Sequence, residues 1–392
     1  MTKTQGRGRR IGSPSRVLVR VAMACIVLAG VLLLCCPGAF ALNPALDVSQ
    51  YAHTAWKIRD GFSKGIIFAI AQTPDGYLWL GTEFGLLRFD GVKAIPWQPP
   101  EGQSLPSSNI RALLSARDGT LWIGTLEGLA SWKEGKLTQY AETAGQVVKT
   151  LLEDREGMVW VGTFAGPIGR LCAIRRGNIQ CYGDDGSFGR GMFSLYEDSK
   201  GNLWAGTVTG LWRWKPGPPR LYRMSELVPD IIGLAEGENG VLLINMKGGL
   251  RQLVNGKIEP YPLLARRRFA PGKLLRDRDG GLWIATQGQS LLHVHQERAD
   301  VFTPSDGLSA DFIDTVFEDR EGTIWVATQN GLDRFRDFAV PTISVKQGLS
   351  NGYVRSILAA SDKKVWLGTQ DGLNRWSDGQ VTVYHKRSGA AG

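Results

Sequence analysis

One unit of about forty residues recurs along this chain, and a fixed period of that length leaves few folds open. Asp75 to Gly91 reads DGYLWLGTEFGLLRFDG. The pattern returns as DGTLWIGTLEGLASWKEG from Asp118, KGNLWAGTVTGLWRWKPG from Lys200, EGTIWVATQNGLDRFRD from Glu321 and KKVWLGTQDGLNRWSDG from Lys363. The copies at Glu156 and Gly280 are interrupted or looser, and the copy at Asn239 has lost its tryptophan. The marker slot holds Trp79, Trp122, Trp160, Trp204, Leu243, Trp283, Trp325 and Trp366, in steps of 43, 38, 44, 39, 40, 42 and 41 residues.

Within a unit, LWLGT alternates apolar with small or polar residues, as a strand does. An Asp-Gly-type turn precedes it. A GL-x-R-F strand follows, then a second turn such as Asp90-Gly91, Glu134-Gly135, Asn255-Gly256 or Asp378-Gly379. One more strand lies on each side (Ile110 to Ala116 before, Lys136 to Tyr140 after). Four antiparallel strands per unit make a propeller blade. Tryptophan supplies large buried area between blades, and the small residue after it (Gly81, Gly124, Ala327) admits a close backbone approach.

Thr54 to Ile58 has no blade of its own and reads as an outer strand. It would complete the Trp325 blade by pairing with Asp333 to Arg336, whose chain departs at 337–341. This predicts an all-β fold with a seven-bladed ring over 42–340, closed by a sheet shared between distant segments. Closure removes exposed strand edges. The segment 341–392 then reads as one extra blade that starts a second, incomplete propeller, because a lone blade cannot bury both faces. The alternative is a single eight-bladed ring, with Trp366 between the Trp325 and Trp79 blades.

The formal charge of +9 suggests nucleic acid, but six of the 46 basic residues precede Ala41, where no acidic residue lies. That leaves 40 against 37 acidic residues and no basic run with interleaved aromatics, so no nucleic-acid partner is expected. The same six residues form a basic region before the apolar run VAMACIVLAGVLLLCCP, and Ala39-Phe40-Ala41 follows. Residues 1–41 therefore read as a secretory signal, with an uncleaved anchor as the rival reading.

The DG-x-LW-x-GT-xx-GL-x-R pattern, from Trp56 to Tyr384, resembles the two-component regulator propeller repeats. It lacks the Trp-Asp and Gly-His marks of one common propeller class and the double glycines of another. The resemblance implies the periplasmic ligand-sensing part of a histidine kinase, hybrid kinase or diguanylate cyclase receptor. In that family a second ring, an immunoglobulin-like domain, a membrane helix and a cytoplasmic output typically follow the first ring. The chain shows no phosphoacceptor, ATP-binding or cyclase motif, so no output activity is assigned to these residues.

Catalytic motifs are likewise missing: there is no G-x-S-x-G and no H-E-x-x-H. His293 and His295 share a strand face and are a metal pair on paper, but they read better as surface or interblade residues. Neither cofactor nor metal is expected. With strands named A to D outward, the D-to-A crossovers and the B-to-C loops share one face, near the channel mouth. Loop-lined concavities on rigid scaffolds are where ligands bind. The expected ligand residues are Lys64, Asn109 and Asp311 from crossovers, and Glu83, Glu127, Gln287, Gln329 and Asn330 from B-to-C loops. Polar groups mixed with Phe84 and Phe164 suit a glycan or small polar ligand. A membrane is expected only through the N-terminal segment or parts outside this chain, and a homodimer is allowed. The competing reading is a secreted propeller enzyme, a lyase or quinoprotein-like dehydrogenase.

Outside the signal only Cys172 and Cys181 remain. They flank a hairpin with Arg176-Gly177 at its tip. Counting outward, Arg175 faces Asn178, Ile174 faces Ile179, Ala173 faces Gln180 and Cys172 faces Cys181 at a non-hydrogen-bonded site. Such sites bring Cα atoms to about 4.5 Å, at the short end of the disulfide range. A disulfide fits an exported, oxidising setting. A one-residue shift of the turn would separate the two thiols.

Overall fold

A computed structural model describes residues 46–384 apart from 165–167, 225–229, 296, 337–342, 363 and 378–379. The signal reading at 1–41, the departing segment at 337–341, the turn at 378–379 and the residues past 384 lie outside the described residues. Among those described, the chain forms eight four-stranded antiparallel sheets joined by loops and short 3-10 turns.

Each motif residue has a mechanical reason for its place. In blade 1 (Ile67–Gln72, Leu78–Thr82, Gly85–Phe89, Ala94–Pro96) the Thr82 hydroxyl donates to the Gly85 carbonyl at 2.8 Å and accepts from the Phe84 amide at 3.1 Å. This closes the B-to-C loop, and Thr125 does the same in blade 2. A Cβ on Gly81 would stand 2.6 Å from Ile110 of the next blade, and one on Gly124 2.6 Å from Val148, so glycine sets the blade spacing there. Two-residue turns with both residues at positive φ join the outer strands: Glu134-Gly135, Arg176-Gly177 and Asn255-Gly256.

The Trp indole binds the turn before it. Trp160, Trp204, Trp283 and Trp325 donate from Nε1 to Asp154, Asp198, Asp277 and Asp319, each six residues earlier, and Trp79 donates to Thr73. The residue after that acceptor reaches the next blade. Arg155 donates to the carbonyls of Asp198 and Ser199, Arg278 to those of Asp319 and Arg320, and Arg320 to those of Thr73 and Pro74. The last link joins blade 7 to blade 1.

The inner strands stand next to one another in sequence order, and Ile313–Glu318 of blade 7 lies against Ile67–Gln72 of blade 1, so the ring of seven closes. The fourth strand of blade 7 is Ala52–Lys57, paired with Gly331–Arg336, Trp56 opposite Leu332. The expected strand began two residues later and ended one later; Ile58 instead opens a 3-10 turn over Ile58–Asp60. His53 Nε2 lies 2.7 Å from Asp333 Oδ1 across this seam, and Trp56 packs on Trp325 with ring centroids 5.7 Å apart.

The eighth sheet (Val354–Ala359, Val365–Thr369, Gly372–Ser377, Gln380–Tyr384) is outside that ring. Trp325 meets Phe89 of blade 1, whereas Trp366 packs on Tyr384 of its own sheet. This arrangement is not the eight-bladed ring.

Candidate functional site at the channel mouth

The expected face exists as a face. In blades 2, 6 and 7 the B-to-C loop bonds its own crossover: Leu126 N donates to Asn109 O, Gln287 N to Ala270 O and Gln329 N to Phe312 O. Lys64, Glu127, Gln287, Asp311, Gln329 and Asn330 are exposed on it, and Glu83 and Asn109 are half-buried.

The structure gives several of these eight local duties. Glu83 Oε1 accepts from the Ile66 amide at 3.3 Å, tying its loop to the crossover that carries Lys64. The Asp311 carbonyl takes the amides of Gly288 and Ser290, and Asn330 Nδ2 reaches Ser309 O at 3.4 Å. Asn109 keeps a buried Oδ1 without a donor. Gln287 lines a cavity of about 370 Å³ with Phe193, Ile232, Lys247 and Phe269. The eight do not converge on one point; they are spread around the rim.

What does converge was not singled out from the sequence. The second or third residue of most inner strands sits at a β-bulge, where the pairing slips by one residue. A bulge leaves its extra residue unpaired and re-aims it. These residues are Phe68, Arg111, Lys149, Phe193 and Asp314, and Lys273 lies in the same kind of irregular step in blade 6. They meet across the axis. Lys273 Nζ donates to Phe193 O at 3.3 Å, from blade 6 to blade 4, and the Arg111 guanidinium lies 4.0 Å over the Phe68 ring.

Three cations and one carboxylate thus share a narrow mouth. Burial pulls Lys273 down to about 8, with Lys149 adding repulsion. Burial pushes Asp314 up to about 6, although Lys149 and Arg111 pull the other way. Lys149 is also lowered, by burial first and by Arg111 second. Asp314 Oδ2 and Arg111 Nε are buried with no hydrogen-bond partner. Unpaired polar groups of this kind can engage a polar ligand. Carboxylate and ammonium groups shifted toward neutrality also supply the groups that acid–base chemistry uses.

His293 is buried against Trp283 with centroids 4.4 Å apart, and burial lowers it to about 4. Among the described residues no group of three His, Cys, Asp or Glu stands close enough to hold a metal. None of their helices is long and apolar enough to cross a membrane. Cys172 and Cys181 face each other in the register derived from the turn and are joined by a disulfide, with Cα atoms 4.0 Å apart.

Comparison with solved structures gives propellers. The extracellular domain described as that of a hybrid two component system from B. thetaiotaomicron aligns at TM-score 0.63 and 19% identity, over 86% of this chain and 49% of that one. A second B. thetaiotaomicron extracellular domain, described as from a one component system, gives 0.60 and 20% over 83% and 46%. The chain therefore spans about half the length of these two. Virginiamycin B lyase from Staphylococcus aureus gives 0.58 and 13%, over 74% of this chain and all of that one. At these identities the likeness is one of fold. Comparison with curated proteins gave no match. The family model for the two component regulator propeller matches residues 61–84, 104–127, 143–165, 186–209, 307–330 and 348–371, skipping the two units whose sequence is loosest. At those six segments the chain is similar to the two component regulator propeller repeat.

Proposed function

We propose that this chain is the exported, ligand-sensing propeller of a two-component-type receptor. It binds a small polar ligand or glycan on the face of the crossovers and B-to-C loops. The observation that carries this reading is the mixed-charge mouth of Arg111, Lys149, Lys273 and Asp314, set beside the cavity that Gln287 lines. Phe68 and Phe193 give it apolar surface, and Lys64, Glu83, Asn109, Glu127, Asp311, Gln329 and Asn330 form the polar rim. The repeat family and the two extracellular neighbours support the receptor class. The eighth sheet, with Ile357 68% and Leu358 64% exposed on its inner strand, supports a second propeller continuing from 341.

Calorimetric titration of the purified domain with a panel of neutral and acidic mono- and disaccharides tests this. Lys273→Ala is expected to weaken the ligand that binds at least tenfold, about 1.4 kcal/mol. Unchanged affinity in Lys273→Ala and Gln287→Ala together would remove the site from this face.

The second reading is a secreted propeller enzyme. The lyase neighbour shares the fold, and Lys273 and Asp314 supply shifted acid–base groups. Turnover of any bound ligand by the purified domain, lost in Asp314→Asn, decides for that reading.

A further inference from the structure

Blade 2 departs from the other blades in two places at once. Trp122 is 7% exposed, yet its Nε1 donates to nothing. The residue six positions earlier is Ala116, where Trp79, Trp160, Trp204, Trp283 and Trp325 find Thr or Asp. The residue paired across from Trp122 is Ser131. In blades 1, 4 and 7 that position holds Arg88, Arg213 and Arg334. Blade 3 also has a small residue there, Ala173, but Lys215 of blade 4 fills in by reaching Asp154 at 2.8 Å. Blade 2 therefore lacks both the acceptor and the flanking cation; Tyr140 packs on the indole instead, ring centroids 5.3 Å apart.

The result is a groove of about 1000 Å³ between blades 2 and 3. It is lined by A-to-B and C-to-D turns, on the face opposite the channel mouth already described. Trp122 forms part of its wall, together with a hydroxyl cluster in which Ser131 Oγ lies 3.0 Å from Tyr140 OH and Thr138 is adjacent. Six cationic and four acidic side chains line it. Arg117 pairs with Glu153, Lys133 with Asp118, and Arg155 is turned onto the carbonyls of blade 4. With Lys136, Arg175, Arg176, Glu134 and Glu156 also in the lining, the groove carries a net positive charge. A buried N–H without an acceptor costs about 1 to 3 kcal/mol, a cost that blades 1, 3, 4, 6 and 7 avoid with a single side chain.

We propose that this groove is a second ligand site, for a small polyhydroxylated organic anion of the hydroxy-acid or acidic-sugar class. An oxygen of the ligand accepts from Trp122 Nε1, its hydroxyls bond Ser131, Thr138 and Tyr140, and its carboxylate sits among Lys136, Arg175 and Arg176. The site is independent of the one at the channel mouth.

The test is calorimetry with D-glucuronate, and with D-glucose as the neutral counterpart, on the whole chain. Four proteins are compared: wild type, Ser131→Arg, Ala116→Asp and Lys273→Ala. Ser131→Arg restores the Trp–Arg pairing of blades 1, 4 and 7, and Ala116→Asp restores the acceptor. Both should keep or raise the melting temperature and weaken glucuronate at least tenfold. Heat that Lys273→Ala removes belongs to the channel mouth, and the heat that Ser131→Arg removes must persist in Lys273→Ala for it to belong to the groove. Glucose should bind at least tenfold more weakly than glucuronate. Absence of glucuronate heat in wild type, equal binding of glucose, or full binding by a folded Ser131→Arg protein overturns the proposal.

Discussion

Blades 7 and 8 carry nearly the same sentence, EGTIWVATQNGLDRFRD and KKVWLGTQDGLNRWSDG, and build the same four-stranded sheet. Their burial differs. The middle strand Ile324–Thr328 is buried throughout, whereas Val365–Thr369 buries only its central Leu367. Trp325 is 4% exposed and sits between Trp56, Phe89 and the Arg334 guanidinium. Trp366 has Tyr384 and a half-open surface. The local sequence makes the sheet, and the neighbours make the core. A blade is a unit of hydrogen bonding that becomes a unit of stability only when both faces are covered.

Removing the shared tryptophan should break this comparison most strongly. Trp325→Ala is expected to cost about 3 to 5 kcal/mol by cavity formation, while Trp366→Ala should cost about 1 kcal/mol or less. Denaturant midpoints of the two variants measure it, and equal losses would mean that the eighth sheet is as well packed as the seventh.

The Cys172–Cys181 bridge closes a short loop within blade 3, so chain entropy assigns it about 2 to 3 kcal/mol. Reduction should lower the midpoint by that amount and leave blade 8 untouched. Two free thiols in denatured, unreduced protein from an oxidising compartment would contradict the bridge.

Arg320 carries the ladder from blade 7 to blade 1, and blade 8 has Ser361 in its place. Arg320→Ala should cost about 1 to 3 kcal/mol, the value of hydrogen bonds from a charged donor. Ser361→Ala should be silent in the same unfolding assay.

Asp314 gives a slope in pH, not a single loss. Its folded pKa, about 6, lies above the ordinary 3.8, so between those values the folded chain holds more protons than the unfolded one. Its contribution is full below about 4 and is lost as pH rises through 6. Asp314→Asn should flatten this part of the stability–pH curve.

The repeat, the four-stranded blade and the hairpin register at Cys172 were legible because they depend on residues close in sequence. The strand at Trp56 was legible because an outer-strand pattern without a blade must pair somewhere, and only its ends shifted. The channel-mouth ring was not. Arg111, Lys149, Lys273 and Asp314 are single charges in otherwise apolar strands, and their meeting depends on bulges and on blades far apart in sequence. The crossovers and B-to-C loops do share one face, but which loop side chains converge is decided by ring geometry. Ala116 and Ser131 stood in the aligned units as two plain small residues; only the packed structure shows that the indole between them keeps an N–H without an acceptor.

Hydrogen exchange along the native chain tests most directly the claim that seven blades form a closed ring with the eighth outside. Amides of Ala52–Lys57 should be protected as strongly as those of Gly331–Arg336 with which they pair, and more strongly than those of Gln380–Tyr384 at the outer edge of blade 8. Equal protection of Ile313–Glu318 and Val354–Ala359, or rapid exchange throughout Ala52–Lys57, would contradict the closed ring.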